Sequence, residues 1–202
     1  MKAILGKKIG MTQIFDEKGD VTPVTVVEAG PCYIVGLRTQ EKDGYTAIQV
    51  GFGNPPKKQT KAMLGILKDI KVRYIVEFRV DNVDTYQVGQ KITASEIFAV
   101  GDMIHVSGDS IGKGFMGTIR RWHHHRGPMS HGSKSHRIPG SIGAGTTPGR
   151  VYKGRRMAGR LGGKRVTGRG LRVVRIDADK NLVMLSGSVP GAKGNIVEIV
   201  KA

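Results

Sequence analysis

Sixty-seven consecutive residues, Ser110 to Ile176, contain no aspartate or glutamate. That gap removes carboxylate general acids, acidic metal ligands and internal ion pairing from about a third of the chain. A single cysteine, Cys32, cannot form an internal disulfide, which fits a reducing compartment, and it reads as a small buried apolar residue. No stretch approaches the ~20 uninterrupted apolar residues of a membrane span. The start, Met1 to Lys8, lacks the apolar core of a signal peptide, so a soluble cytoplasmic protein is expected. Aromatic residues make up only 5% of the chain while glycine occurs 30 times, a balance that favours tight turns and backbone lying close to a partner.

What the acid-free stretch does contain is 16 Lys or Arg, 15 Gly and five of the six His. It therefore holds +16 of the formal net charge of +17, while the remaining 135 residues carry 17 basic and 16 acidic side chains. Packing so much like charge together is unfavourable unless a polyanion compensates it, and a nucleic-acid phosphate backbone is the densest common one.

Outside this stretch, short β-rich runs recur between turn residues: 3–15, 21–28, 33–39, 45–52, 72–80, 102–107, 171–177, 181–186 and 195–201. Asp179-Lys180-Asn181 reads as a hairpin turn. Helix signals are few, namely residues 58–70 and a one-turn start at Thr93-Ala94-Ser95-Glu96 with capping-box spacing. The expected fold is mainly β: a small closed β-barrel of about six strands with a minor α+β subsection and a long irregular basic extension. The expected divisions are 1–109 for the first part of the body, with the α+β subsection at about 54–100 after Asn54-Pro55-Pro56, then 110–172 for the extension and 173–202 for the closing strands. From Gly127 to Gly170 almost every third residue is Gly or Pro and no period of 2 or 3.6 persists. Loops beyond about 15 residues are rare in compact domains, so this one must be disordered or ordered from outside. The spacing of Trp122, Tyr152, Met157 and Leu161 through it argues for an arm shaped by its partner. At ~3.3 Å per residue, an out-and-back excursion reaches at most roughly 100 Å. Phe115, Ile119 and Trp122 share a helical face, while a helix over 120–125 is left open.

Several patterns in the arm imitate catalytic motifs and fail. Gly112-Lys113-Gly114-Phe115-Met116-Gly117 has dinucleotide-loop spacing, yet no carboxylate follows to hold a ribose. Gly159 to Lys164 resembles a phosphate loop, but Arg165 stands where a magnesium-binding Ser or Thr is required. His123-His124-His125 with His131 and His136 lacks Cys or carboxylate partners, so no metal is expected, and neutral His donating to phosphate or ribose fits better. Ser130-His131 and Ser135-His136 have no acid within the arm. No cofactor, small-molecule substrate or enzymatic activity is expected. The reading that survives is RNA binding: Lys113, Arg120, Arg121, Trp122, His123 and Arg126 in the outgoing part; His131, Lys134, His136 and Arg137 beyond it; Arg150, Lys153, Arg155, Arg156, Arg160, Lys164, Arg165 and Arg169 on the return. A DNA-binding architectural protein is the alternative.

Lys8-Ile9-Gly10-Met11-Thr12, Asp43-Gly44-Tyr45, Lys113-Gly114-Phe115, Arg121-Trp122, Ser130-His131-Gly132, Pro139-Gly140-Ser141-Ile142-Gly143, Thr147-Pro148-Gly149-Arg150-Val151, Met157-Ala158-Gly159 and Val189-Pro190-Gly191-Ala192 occur in that order along the whole chain. Together they resemble the bacterial-type form of the universal large-subunit ribosomal protein three family. The resemblance implies a six-stranded barrel and an extension that threads between large-subunit rRNA helices. It further implies neighbouring ribosomal proteins as partners, a role in early subunit assembly, and a cytoplasmic or organellar ribosome. The extension tip near the peptidyl-transferase centre would correspond to Gly143, Ala144, Gly145, Thr146, Thr147 and Pro148. Thr146 stands where some bacterial relatives carry a methylated Gln.

Overall fold

The computed structural model describes residues 2–67 and 70–202. They form two compact units, Met1–Asp109 with Arg165–Ala202, and Ser110–Lys164. The strands in chain order are β1 (Ala3–Phe15), β2 (Val21–Ala29), β3 (Cys32–Arg38), β4 (Ala47–Phe52), β5 (Tyr74–Arg79), β6 (Lys91–Ile92), β7 (Met103–Asp109), β8 (Phe115–Met116), β9 (Gly159–Arg160), β10 (Arg165–Asp177), β11 (Leu182–Ser186) and β12 (Ile196–Lys201). Four short helices accompany them, α1 (Gln40–Asp43), α2 (Lys61–Leu67), α3 (Ala94–Ile97) and α4 (Thr118–Trp122).

In the first unit β1, β12, β7, β10, β11 and β2 pair antiparallel in that order, and β2 pairs back onto β1, so that six strands form a ring. Period-2 sequence makes the ring. Ile104 and Val106 of β7, Val183 and Leu185 of β11, and Val197 and Ile199 of β12 alternate with wetter neighbours, and each is buried. The first residues of β1 are buried without alternation, and the strand also lies against β4. A second sheet, β5-β4-β3-β6, shares one apolar core with the ring, to which it contributes Ile34, Ile48, Val50 and Phe52.

Two of the motifs singled out in the sequence meet here. The Lys8 ammonium donates to the carbonyls of Val189 (2.7 Å) and Gly191 (2.9 Å), while Gly194 N–H donates to the Lys8 carbonyl at 2.7 Å. Lys8 thus fastens the 189–194 loop to β1, and the bonds tie up its ammonium.

Most strand boundaries fall within two residues of the expected ones, and three departures are larger. Strand β10 begins at Arg165 rather than 171, because its ladder with β7 resumes after a bulge between Gly168 and Leu171. Gly170 N–H donates to His105 Nδ1 at 3.2 Å, which holds that bulge against β7. Residues 165–172, placed in the extension on sequence, are therefore paired strand. The division near Asn54 falls inside a sheet, since β4 and β5 pair along their whole length. Helix α2 covers Lys61–Leu67 of the expected 58–70, where residues 68 and 69 lie outside the described residues, as does Met1. At Thr93 the predicted capping spacing is realised, with Thr93 N–H donating to Glu96 Oε2 at 3.3 Å.

Candidate nucleic-acid interface

The unit Ser110–Lys164 is a long excursion closed at its base by its own backbone. Ser110 N–H and Oγ–H both donate to the Lys164 carbonyl at 2.9 Å, and Gly163 N–H donates to Ser110 at 3.1 Å. Further out, Lys113 N–H donates to Leu161 (2.8 Å) and Leu161 N–H to Gly114 (2.9 Å), after which β8 pairs with β9. This zipper places Lys113, Arg160 and Lys164, all exposed, on paired backbone. Helix α4 follows and stops at His123, whose φ of 59° lies in the left-handed region. The helix question left open by the sequence is thus settled over 118–122, with His123, His124 and His125 beyond its end.

The outgoing and returning segments meet at Met157. Its carbonyl accepts from Arg121 Nη1 at 2.7 Å and from the Trp122 indole N–H at 2.9 Å. The Arg121 and Arg156 guanidiniums stand 5.0 and 5.6 Å from the Trp122 ring centroid. These are cation–π distances, so the indole serves as a rest for two cations. Sequence reasoning placed all three among the RNA-binding residues but did not foresee the junction, whose partners lie 35 and 36 positions apart with no periodic signal.

Beyond the junction the unit is a chain of turns. Gly127 N–H donates to His136 at 3.0 Å, and the His136 Nδ1–H donates to Pro128 at 2.8 Å. A side chain at 127 would bring its Cβ to 2.0 Å from the Ser135 carbonyl oxygen, so only glycine permits this approach. Arg155 donates to the Ser141 carbonyl, and the Arg150 guanidinium lies 5.6 Å from the Tyr152 ring centroid. Arg120, Arg126, His131, Lys134, Arg137 and Lys153 are exposed, as is every residue of the tip from Gly143 to Pro148. Two of the predicted cations lie elsewhere: Arg165 and Arg169 belong to β10 in the first unit, where Arg165 forms a two-pronged ion pair with Glu198.

Within 110–164 one side chain is buried, that of Thr118, and its hydroxyl has no partner. Large apolar residues face outward instead, with Phe115 79% and Tyr152 60% exposed. Twelve Lys or Arg and no Asp or Glu occupy the same stretch. Such a surface offers cations for phosphate, aromatic faces for bases, and close backbone approach at its glycines. Among the described residues no three His, Cys, Asp or Glu side chains gather to hold a metal ion, and no helix is long and apolar enough to cross a membrane.

Comparison with known proteins adds an independent observation. Residues 54–182 match the family model described as ribosomal protein L3. The large ribosomal subunit protein uL3 of Nostoc punctiforme is 54% identical over 98% of this chain and 96% of its own length. Its counterpart in Desulfitobacterium hafniense is 55% identical over 97% of this chain and 93% of its own.

Proposed function

The chain belongs to the ribosomal protein L3 family and is a structural constituent of the large ribosomal subunit, and we propose that the segment 110–164 is its principal rRNA-binding element. The observation that carries this reading is the pairing of twelve uncompensated cations with a single buried side chain. Such a segment gains its lowest free energy when phosphates neutralise it and RNA grooves cover its apolar residues. The six-strand ring serves as a small barrel body, and neighbouring large-subunit proteins dock on that body. The tip, Gly143 to Pro148, reaches toward the peptidyl-transferase centre. No catalytic step is assigned to it. The segment acts by positioning rRNA strands during assembly of cytoplasmic ribosomes.

Salt titration of binding to large-subunit rRNA tests this. Six to ten phosphate contacts correspond to a loss of about 10³- to 10⁵-fold in affinity between 50 and 200 mM salt. A shallow dependence would contradict the reading. Equal affinity for duplex DNA at matched salt would favour a general architectural protein instead.

A further inference from the structure

The first unit carries 21 Lys or Arg against 16 Asp or Glu, a modest excess, and its charge is unevenly placed. Between Lys57 and Arg73 the sequence carries six Lys or Arg and one acid, Asp69. The end of this run borders a cavity of about 520 Å³. Lys7, Lys71 and Arg73 line it, together with Tyr33, Tyr74 and Asn54; Glu28 is its one carboxylate. None of the four ion pairs among the described residues includes any of these three cations.

The backbone that carries Lys71 and Arg73 is held in place by the fold. Val72, only 1% exposed, packs with Val35 and Leu67, and its burial turns Lys71 and Arg73 outward on either side. Gly51 makes the seat, since a Cβ there would stand 2.7 Å from Val72 Cγ2 and 2.8 Å from Val35 Cγ2. The strap is pinned through its backbone as well: Arg73 N–H is shared between the Phe52 and Gly53 carbonyls at 3.2 Å each, and Gln59 Nε2 donates to the Val72 carbonyl at 3.2 Å. The Arg73 guanidinium lies 5.2 Å from the centroid of the exposed Tyr74 ring. Three cations lining a concave, aromatic-edged cavity match a phosphate with its attached nucleoside, since cations hold the backbone while a ring receives a base.

We infer that the cavity bordered by Lys7, Lys71, Arg73 and Tyr74 is a second rRNA-binding site, separate from the segment 110–164. It goes beyond the function proposed above because none of its residues lies in that segment.

The test uses the full chain and transcribed large-subunit rRNA. One variant carries Lys7→Gln, Lys71→Gln and Arg73→Gln; a second carries Arg155→Gln and Arg156→Gln in the other unit. At about 150 mM salt the triple variant binds at least about tenfold more weakly than the parent, with a shallower salt dependence. If it binds like the parent while the Arg155/Arg156 variant is weakened, the second site is overturned and the role of 110–164 stands. If neither is weakened, both fall. Acylation footprinting of the unmodified protein gives a readout that needs no variant: the Lys7 and Lys71 amines become at least about fivefold less reactive in the rRNA complex. Equal reactivity in that complex, with protection only in the assembled subunit, would assign the cavity to a protein neighbour and overturn the inference.

Discussion

Trp122 shows how much one side chain organises. Its indole N–H and the Arg121 guanidinium share the Met157 carbonyl, and Arg121 and Arg156 both lie at cation–π distance. Exposed cation–π contacts contribute about 0.5–1 kcal/mol each, so Trp122→Ala is expected to weaken rRNA binding roughly 5- to 30-fold. Trp122→Phe should lose less, and neither should shift the melting of the first unit; unchanged affinity in filter binding would refute this. Cys32 gives a second prediction. Burial pushes its thiol up to about 12, and the neutral thiol donates to the Leu5 carbonyl. Because the folded value lies above the ordinary 9.0, the neutral thiol favours the native state below pH 9, and that contribution is lost as pH rises toward 12. At pH 8 the native thiol should therefore resist disulfide-exchange reagents and react only on unfolding. Rapid labelling of the folded protein would contradict its burial.

At the scale of elements, legibility followed periodicity. Strands β11 and β12 were readable to within a residue at one end because apolar residues alternate in them, and β1 over its full span because turn residues follow its β-rich run. The first half of β10 was not, since Gly168-Arg169-Gly170 looks like loop until His105 is seen accepting from the Gly170 amide. No local signal carries that information. The buried strands are also where stability resides: Ile199→Ala in β12 removes a fully buried side chain and should cost about 2–5 kcal/mol in chemical denaturation. Gly127→Ala acts on a different element. Its methyl would collide with the Ser135 carbonyl, so the 127–136 turn must rearrange, and rRNA affinity should fall by about tenfold while denaturation of the first unit is unchanged. If instead the denaturation midpoint shifts and binding does not, the assignment of that turn to RNA recognition fails.

For the molecule as a whole, charge segregation was fully visible in the sequence, and it singled out most of the stretch that forms the separate unit 110–164. Individual contacts within the interface were not visible, because cations spaced irregularly along turns carry no period from which neighbours can be inferred. The cluster at Lys7, Lys71 and Arg73 was hidden for another reason: Lys7 is far from the other two in sequence and acids elsewhere in the first unit offset most of its cations, so only three-dimensional proximity exposes it. The two units accordingly differ in what orders them. One has an extensive apolar core, and the other has hydrogen-bonded turns and a single buried side chain, that of Thr118. Backbone bonds that are open to water on all sides protect amides poorly.

Hydrogen exchange of the free chain and of its rRNA complex measures this difference directly. The amides of 110–164 should exchange close to the rate of an unstructured chain when the protein is alone, while β7, β11 and β12 stay protected, and rRNA should slow the former by at least about a hundredfold. Strong protection of 110–164 in the absence of RNA would show that this segment holds its form unaided, and would contradict the account.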